Sequence, residues 1–403
     1  MRIRPSTARF RTLGVLTLAA TLLAACGNGG GESDDGTFDI LLIAGVTGPT
    51  AGPVENVVLG LETAIEAVNS DGGINGKQIK LEVLDSKADP TQAVSQLQKV
   101  LASGDKPDLV WPGVSSPESL ALLPVLTDEK IWSFGQTASP LINDPKKYPY
   151  HFGISVDKNN EWMAAALEPM KKLAPKTVGM LTPSDAFGDA AEAAVKAVTD
   201  EVGAELVVER FDPTGLDYTV QYSRVLSKNP DVVVLDTTGG DPTPRLFAAR
   251  EAADGLDTPI WIAQGVTGAQ PPKTVATPEQ LENCEMPSVF AYTVRPESVP
   301  EKIAPLADTI ESDHPGLSIY APGLAYDLVR IAALAAEQSE GYGGEEMAKA
   351  MLALDVPDDY SVVYGGDLKY TNETHFPVPP DNLFSMMPCS VELTDDGFFA
   401  APE

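Results

Sequence analysis

Short, nearly continuous apolar runs alternate along this chain with stretches in which apolar residues recur every three or four positions. The first run is Phe38-Asp39-Ile40-Leu41-Leu42-Ile43-Ala44, and a loop rich in Gly, Thr and Pro over 45–53 follows it, the pattern of a buried strand entering a turn. Val57, Val58, Leu61, Ala64, Ile65 and Val68 then share one helical face, Asn69-Ser70-Asp71-Gly72-Gly73 stops that helix, and Ile79, Leu81 and Val83 alternate as a strand does. The same rhythm predicts a helix over 90–102, a strand over 109–111, a helix over 117–128 and a strand over 131–134. A second series follows Phe152-Gly153-Ile154, with a helix over 162–173, a strand over 177–181 and a helix that places Phe187, Ala190, Ala191, Ala194, Val195 and Val198 on one face. A strand over 206–208, a helix over 218–226, a strand over 232–235, a helix over 243–253 and a strand over 260–263 complete it.

Strands that alternate with helices form parallel sheets covered on both faces, and two such series predict an α/β protein of two lobes. No period of 20–50 residues is present, which excludes a solenoid. In open parallel sheets small molecules bind beyond the carboxyl ends of the strands, where loops and helix starts offer unpaired N–H groups. In this chain those loops are 47–51, 114–117, 135–139, 183–187, 237–242 and 264–267, nearly all polar and glycine-rich.

Ahead of the first strand, Arg2, Arg4, Arg9 and Arg11 precede an apolar run over 13–25 that is too short to span a bilayer and ends in Leu23-Ala24-Ala25-Cys26. The junction resembles a bacterial lipoprotein signal. That resemblance implies cleavage before Cys26, a lipid on its sulfur, attachment at the extracytoplasmic face of the cell membrane through that lipid alone, and a flexible tether over 26–37. An ordinary signal peptide with a chance cysteine is the other reading. The chain holds 28 Lys and Arg against 58 Asp and Glu; without the four signal arginines, 24 basic residues face 58 acidic ones, a net charge of −34. Such a surface repels nucleic acid and anionic lipid, which excludes both as partners. With 43% hydrophobic residues interspersed among the acids, the charge describes a solvated surface and not a disordered tail. Cys284 and Cys389 remain for an oxidising compartment, where one disulfide between them is expected. No CxxC or clustered Cys and His spacing suggests a metal.

Ser115-Ser116-Pro117 falls at a strand-to-helix junction, where Ser followed by Pro is a common helix start. Ser116 fits either a cap or a ligand contact. Ser115 with the N–H groups of that start would make an anion site for a carboxylate, which Gln136, Thr137 and Ala138 on the next loop would complete. No Gly-x-Ser-x-Gly elbow is present, and His151, His314 and His375, the only imidazoles, read as surface or hinge residues. The glycine-rich loops lack the phosphate-loop lysine and the dinucleotide fingerprint. The chain is therefore read as a non-enzyme that needs no cofactor and no metal. Of Trp111, Phe134, Trp162, Phe187 and Trp261, most belong in the core, and Phe187 at a helix start is the one best placed to line a pocket.

The loop 45–53, the turn Gly72-Gly73-Ile74-Asn75-Gly76-Lys77 and Asp85 before Asp89-Pro90 resemble the Leu/Ile/Val-binding family of extracytoplasmic solute receptors. The likeness continues through Gly113-Val114-Ser115-Ser116, Thr137-Ala138-Ser139-Pro140, Phe187-Gly188, Pro230-Asp231-Val232-Val233, Ala249-Arg250-Glu251 with Gly255-Leu256, and Tyr326-Asp327. The resemblance implies two Rossmann-like lobes, 38–153 with 296–375 and 154–295 with 382–403, joined by three crossovers near 153–157, 292–296 and 375–382. It also implies that both cysteines belong to the second lobe. The expected function is an ABC importer's solute-binding component, a monomer that hands an amino acid, amide or carboxylic acid to a permease; the alternative is a receptor module that signals without transport. In family members that bind amino acids, residues matching Ser115, Thr137 and Ala138 hold the ligand carboxylate. The family's tyrosine is Phe187 here, and the acid that binds the α-ammonium falls at Gln264, departures that point away from an unmodified amino acid. Asp185 and Asp241 stand nearby as replacement acids, while Gln264 suits an amide or hydroxyl.

Overall fold

The computed structural model describes residues 36–400 apart from 49, 138, 156–163, 238–239, 264–271, 289–291, 293, 363, 367 and 378–384. The first series folds as β1 (Thr37–Ala44), α1 (Ala51–Ser70), β2 (Gln78–Asp85), α2 (Pro90–Ser103), β3 (Leu109–Pro112), α3 (Ser116–Asp128), β4 (Ser133–Gly135) and β5 (His151–Gly153). These strands make a five-stranded parallel sheet in the order β2-β1-β3-β4-β5. β1 lies inside the sheet, which is why its run is apolar on both faces: Ile40, Leu41, Leu42 and Ile43 are all buried. α1 meets the sheet with Val54, Val57, Leu61 and Ala64. α2 starts at Pro90, where Asp89 accepts from the Thr91 N–H at 2.8 Å, and stops at Gly104.

The second series gives α4 (Ala164–Leu173), β6 (Thr177–Pro183), α5 (Ala186–Val202), β7 (Glu205–Phe211), α6 (Thr219–Leu226), β8 (Val232–Leu235), α7 (Pro242–Ala252), β9 (Ile260–Ile262) and β10 (Cys284–Ser288). With β11 (Ser385–Pro388) they form a six-stranded sheet in the order β11-β10-β9-β8-β6-β7, parallel except where β11 runs against β10. The protein is thus a two-lobe α/β fold. Cys284 and Cys389 are disulfide-bonded, with an S–S distance of 2.02 Å and Cα atoms 5.4 Å apart, so the bond staples β10 to the end of β11. Buried Arg250 of α7 spreads its guanidinium over the carbonyls of Gly255, Leu256, Thr258, Gln280 and Glu282 at 2.7–3.2 Å, which ties α7 to the segments flanking β9.

Three helices of nine residues or more carry no expectation from the pattern above: α8 (Ala304–Asp313), α9 (Tyr320–Glu337) and α10 (Gly344–Leu352). α9 is buried almost all round. It packs on α1 so closely that a Cβ on Gly60 would lie 2.0 Å from the Pro322 carbonyl oxygen. β4 starts two residues later than the pattern predicts, although the Trp132 carbonyl already accepts from the Val110 N–H at 3.1 Å.

The chain leaves the first sheet through a densely bonded crossover. The Gly153 N–H donates to the His375 carbonyl at 2.9 Å, Tyr370 Oη to the Gly153 carbonyl at 3.1 Å, and Tyr364 Oη to the Ile154 carbonyl at 2.7 Å. His375 Nδ1 lies 2.9 Å from the His151 carbonyl oxygen, and its ring stacks on Phe152 with centroids 4.0 Å apart. His151 and His375 are buried beside each other where the chain leaves the first sheet, while His314 is exposed at the end of α8. A second tie runs from the Arg295 N–H to the Phe399 carbonyl and from Arg295 Nε to Asp396 Oδ2, both at 2.8 Å. The predicted signal, Cys26 and the tether up to residue 35 lie outside the described residues. Among the described residues no helix is long and apolar enough to cross a membrane.

Candidate functional site

Because all strands of the first sheet and all but β11 of the second are parallel, the loops after β3, β4, β6 and β8 gather at the carboxyl edges of the sheets. α3 of one lobe and α5 of the other approach each other there. The described members of the expected binding set, Ser115, Ser116, Gln136, Thr137, Asp185, Phe187 and Asp241, lie on loops or helix starts at this edge. Ala138 and Gln264 lie outside the described residues.

Ser115 is the N-cap residue of α3 and takes the extended conformation a cap requires, but its hydroxyl does not bond to the helix N–H groups. It donates instead to Glu118 Oε2 at 2.8 Å. Glu118 has no exposed surface, and its other carboxylate oxygen accepts from buried Ser86 Oγ. Ser116, the first residue of α3, is buried and its Oγ has no hydrogen-bond partner among the described residues. Thr137 is buried with Oγ1 2.9 Å from Ser119 Oγ, which in turn donates to the Pro112 carbonyl at 2.7 Å. Gln136 Oε1 is buried and has no partner among the described residues.

On the second lobe the two expected acids are engaged locally. Asp185 caps α5, accepting from the Phe187 N–H at 2.9 Å and the Gly188 N–H at 3.0 Å. Gly188 permits this tight start, because a Cβ there would stand 1.9 Å from the Pro183 carbonyl oxygen. Phe187 is half-buried in the first turn of α5, so of the aromatic residues considered it keeps a surface to offer, whereas Trp111, Phe134 and Trp261 are buried in the core. Trp162 lies outside the described residues. Asp241 precedes α7, is exposed, and pairs with Arg245 at 3.0 Å while making no cap bond. Two fully buried threonines beside it were not anticipated: Thr237 after β8 and Thr243 in the first turn of α7, whose Oγ1 atoms have no partner among the described residues.

An unpartnered hydroxyl taken from water costs about 1–3 kcal/mol, so it marks a place where a ligand or water completes the bonding. Ser116, Gln136, Thr237 and Thr243 each hold such an atom, and they stand on both lobes at the same sheet edges. Glu118, Ser119, Thr237 and Thr243 are the residues that sequence reasoning missed here. The Ser115-to-Glu118 spacing of a capping box was a legible signal for the first. Among the described residues no group of three or more His, Cys, Asp or Glu is placed to hold a metal.

A family model described as "Periplasmic binding protein" matches residues 37–386. The Leu/Ile/Val-binding protein BraC3 of Rhizobium johnstonii is 28% identical over 218 residues, 54% of this chain and 58% of that protein. The matched segment therefore spans less than two thirds of that relative's length. Among solved structures, a type 1 periplasmic binding protein from Bordetella pertussis superposes with a TM-score of 0.74 at 19% identity, over 90% of this chain and 98% of the other. The solute-binding protein of an ABC transporter from Rhodopseudomonas palustris, in complex with benzoate, gives 0.73 at 17% identity over 91% of this chain and 98% of its own.

Proposed function

The chain belongs to the periplasmic binding protein family, and from that premise we propose that it is the solute-binding component of an ABC importer, capturing a small polar or amphipathic solute between its lobes. The candidate solutes are an amino acid, an amide or a carboxylic acid. Capture proceeds by seating the solute on one lobe, swinging the other over it about the crossovers, and presenting the closed form to a permease. One observation carries this reading: buried, unpartnered polar atoms on both lobes (Ser116 and Gln136 on one, Thr237 and Thr243 on the other) occupy the carboxyl edges of the two sheets. A single solute between the lobes would satisfy both sets, and the gain would favour the closed form. The comparisons support transport as the context, since the Rhodopseudomonas protein is named as part of an ABC transporter.

Attachment to the membrane through a lipid on Cys26 belongs to the same proposal and rests on the signal-like segment before it. Solute-specific uptake that disappears when the gene is deleted and returns with the wild-type chain tests the transport reading. Unchanged uptake of every solute that binds the purified chain refutes it. Replacing Cys26→Ser is expected to release the protein from washed membranes, and its retention there refutes the anchor.

A further inference from the structure

Two arginines are buried among the described residues, and their donors are used very differently. Arg250 spreads its guanidinium over five carbonyls at 2.7–3.2 Å. Arg330 of α9, 5% exposed, gives one N–H to the Tyr360 carbonyl at 2.7 Å and makes no ion pair among the described residues. Its guanidinium carbon stands 4.0 Å from the Tyr360 ring centroid and 5.1 Å from that of Tyr326, and Tyr360 Oη donates back to the Arg330 carbonyl at 3.1 Å. This clamp holds Tyr360 against α9, yet it uses only one of the five guanidinium donors. A cation so far removed from water is costly unless acceptors complete it.

Arg330 forms part of the wall of a pocket of about 630 Å³, bounded by the second half of α1, the start of α8 and α9, a volume that suits a small molecule. α1 leaves the carboxyl edge of the first sheet and its 20 residues run about 30 Å, while the pocket touches it only from Thr63 onward. The pocket therefore lies at the far end of the first lobe from Ser116 and Gln136. A planar guanidinium with free donors matches a carboxylate, which accepts two of its N–H groups side by side. Around the mouth stand the exposed acids Glu66, Asp71, Glu301 and Glu337, none of them in an ion pair among the described residues, with Lys302 as the one further cation. Four carboxylates against two cations repel a simple anion, and a simple cation leaves Arg330 unmet. Glu337 follows Arg330 by seven residues, two turns along the same face of α9, which separates the two charges by about 10 Å. An extended dipeptide spans about 7 Å between its termini and reaches about 3 Å further through a hydrogen bond at each end.

We propose that this pocket is a second small-molecule site, separate from the cleft, and that it takes a linear zwitterion with its carboxylate on Arg330 and its ammonium among the acids at the mouth. The size matches a dipeptide or an ω-amino acid, whose charges lie further apart than those of an α-amino acid. This goes beyond the solute-capture reading and does not depend on it.

The test is calorimetric titration of the purified wild type and of a Thr237→Val, Thr243→Val double variant, which disables the cleft. The probes are 6-aminohexanoate against hexanoate and hexylamine, and alanylalanine against its C-terminal amide and its N-acetyl form. At least one zwitterion is expected to bind both proteins equally, one per chain, and at least about tenfold more tightly than either of its single-charge analogues. Arg330→Met, made in the double variant, is expected to weaken that zwitterion at least about tenfold. Because Arg330→Met also removes the Tyr360 clamp, Glu66→Gln with Glu337→Gln supplies a second reading on exposed positions that leave the clamp intact. That pair should weaken the zwitterion several-fold and leave the single-charge carboxylate no weaker. The inference is overturned by any of four results: no zwitterion binds, the analogues bind as well, binding vanishes in the double variant, or a folded Arg330→Met or the folded glutamine pair binds with unaltered affinity. Each of these leaves solute capture in the cleft standing.

Discussion

Burial of His151 at the crossover makes the protein's stability depend on pH in a way that one substitution exposes. Its ring is fully enclosed, with Nδ1 2.9 Å from Ser133 Oγ and Nε2 without a partner among the described residues. Desolvation, aided by the neighbouring His375, pushes its pKa down from 6.5 to about 3. The unfolded chain takes up this proton near pH 6.5 and the folded chain does not, so the stabilisation is fully present above about pH 6.5 and declines as pH falls toward 3. Between pH 7.5 and 5 the loss from this one residue integrates to about 2 kcal/mol. Burial also lowers the pKa of His375, which adds to the loss in the same direction. Urea unfolding of the wild type and of His151→Asn at both pH values isolates the effect, because the carboxylates contribute equally to each protein. The variant is less stable at pH 7.5, but its stability should fall by about 2 kcal/mol less on acidification. Equal losses in the two proteins would refute the claim that His151 is neutral and enclosed.

Arg250→Met leaves five buried or part-buried carbonyl interactions unmade and should cost about 3–5 kcal/mol in urea unfolding; Arg250→Lys should recover little of this, since an ammonium cannot fork over carbonyls on separate segments. Reducing Cys284–Cys389, which closes a loop with a sequence separation of 105, should lower stability by up to about 4–5 kcal/mol, read as a shift of the urea midpoint with and without reductant. If Asp185 acts as the cap of α5 and not as a solute acid, Asp185→Asn should keep both stability and affinity, whereas Asp185→Ala should lose about 1 kcal/mol of stability.

The alternation of strands and helices was legible because β1, β3, β6 and β8 are interior strands with apolar faces on both sides, and α1 and α5 each bury a single stripe. β10 and β11 were not legible: Cys284-Glu285-Met286-Pro287-Ser288 and Ser385-Met386-Met387-Pro388 carry proline and no alternation, and only their pairing partners make them strands. α9 escaped for the opposite reason, since nearly every one of its positions is buried. At the site, the pattern located the loops but not the direction of their protons. The letters offer Asp185 and Asp241 as acids on neighbouring loops, and they do not show that one caps α5 and the other pairs with Arg245. Nothing in the letters reveals that Ser86 lies over Glu118 in the core.

Thermal unfolding of the purified protein, scanned against amides, polyols, amino acids and aromatic and aliphatic acids, tests solute capture most directly. A true solute at about 1,000 times its dissociation constant adds roughly 4 kcal/mol to the folded state. One chemical class should therefore raise the melting temperature by several degrees, and the rise should vanish when Thr237 and Thr243 are both replaced by valine. A library that leaves the melting temperature unmoved, or a rise indifferent to those two threonines, would contradict the cleft as the place of binding.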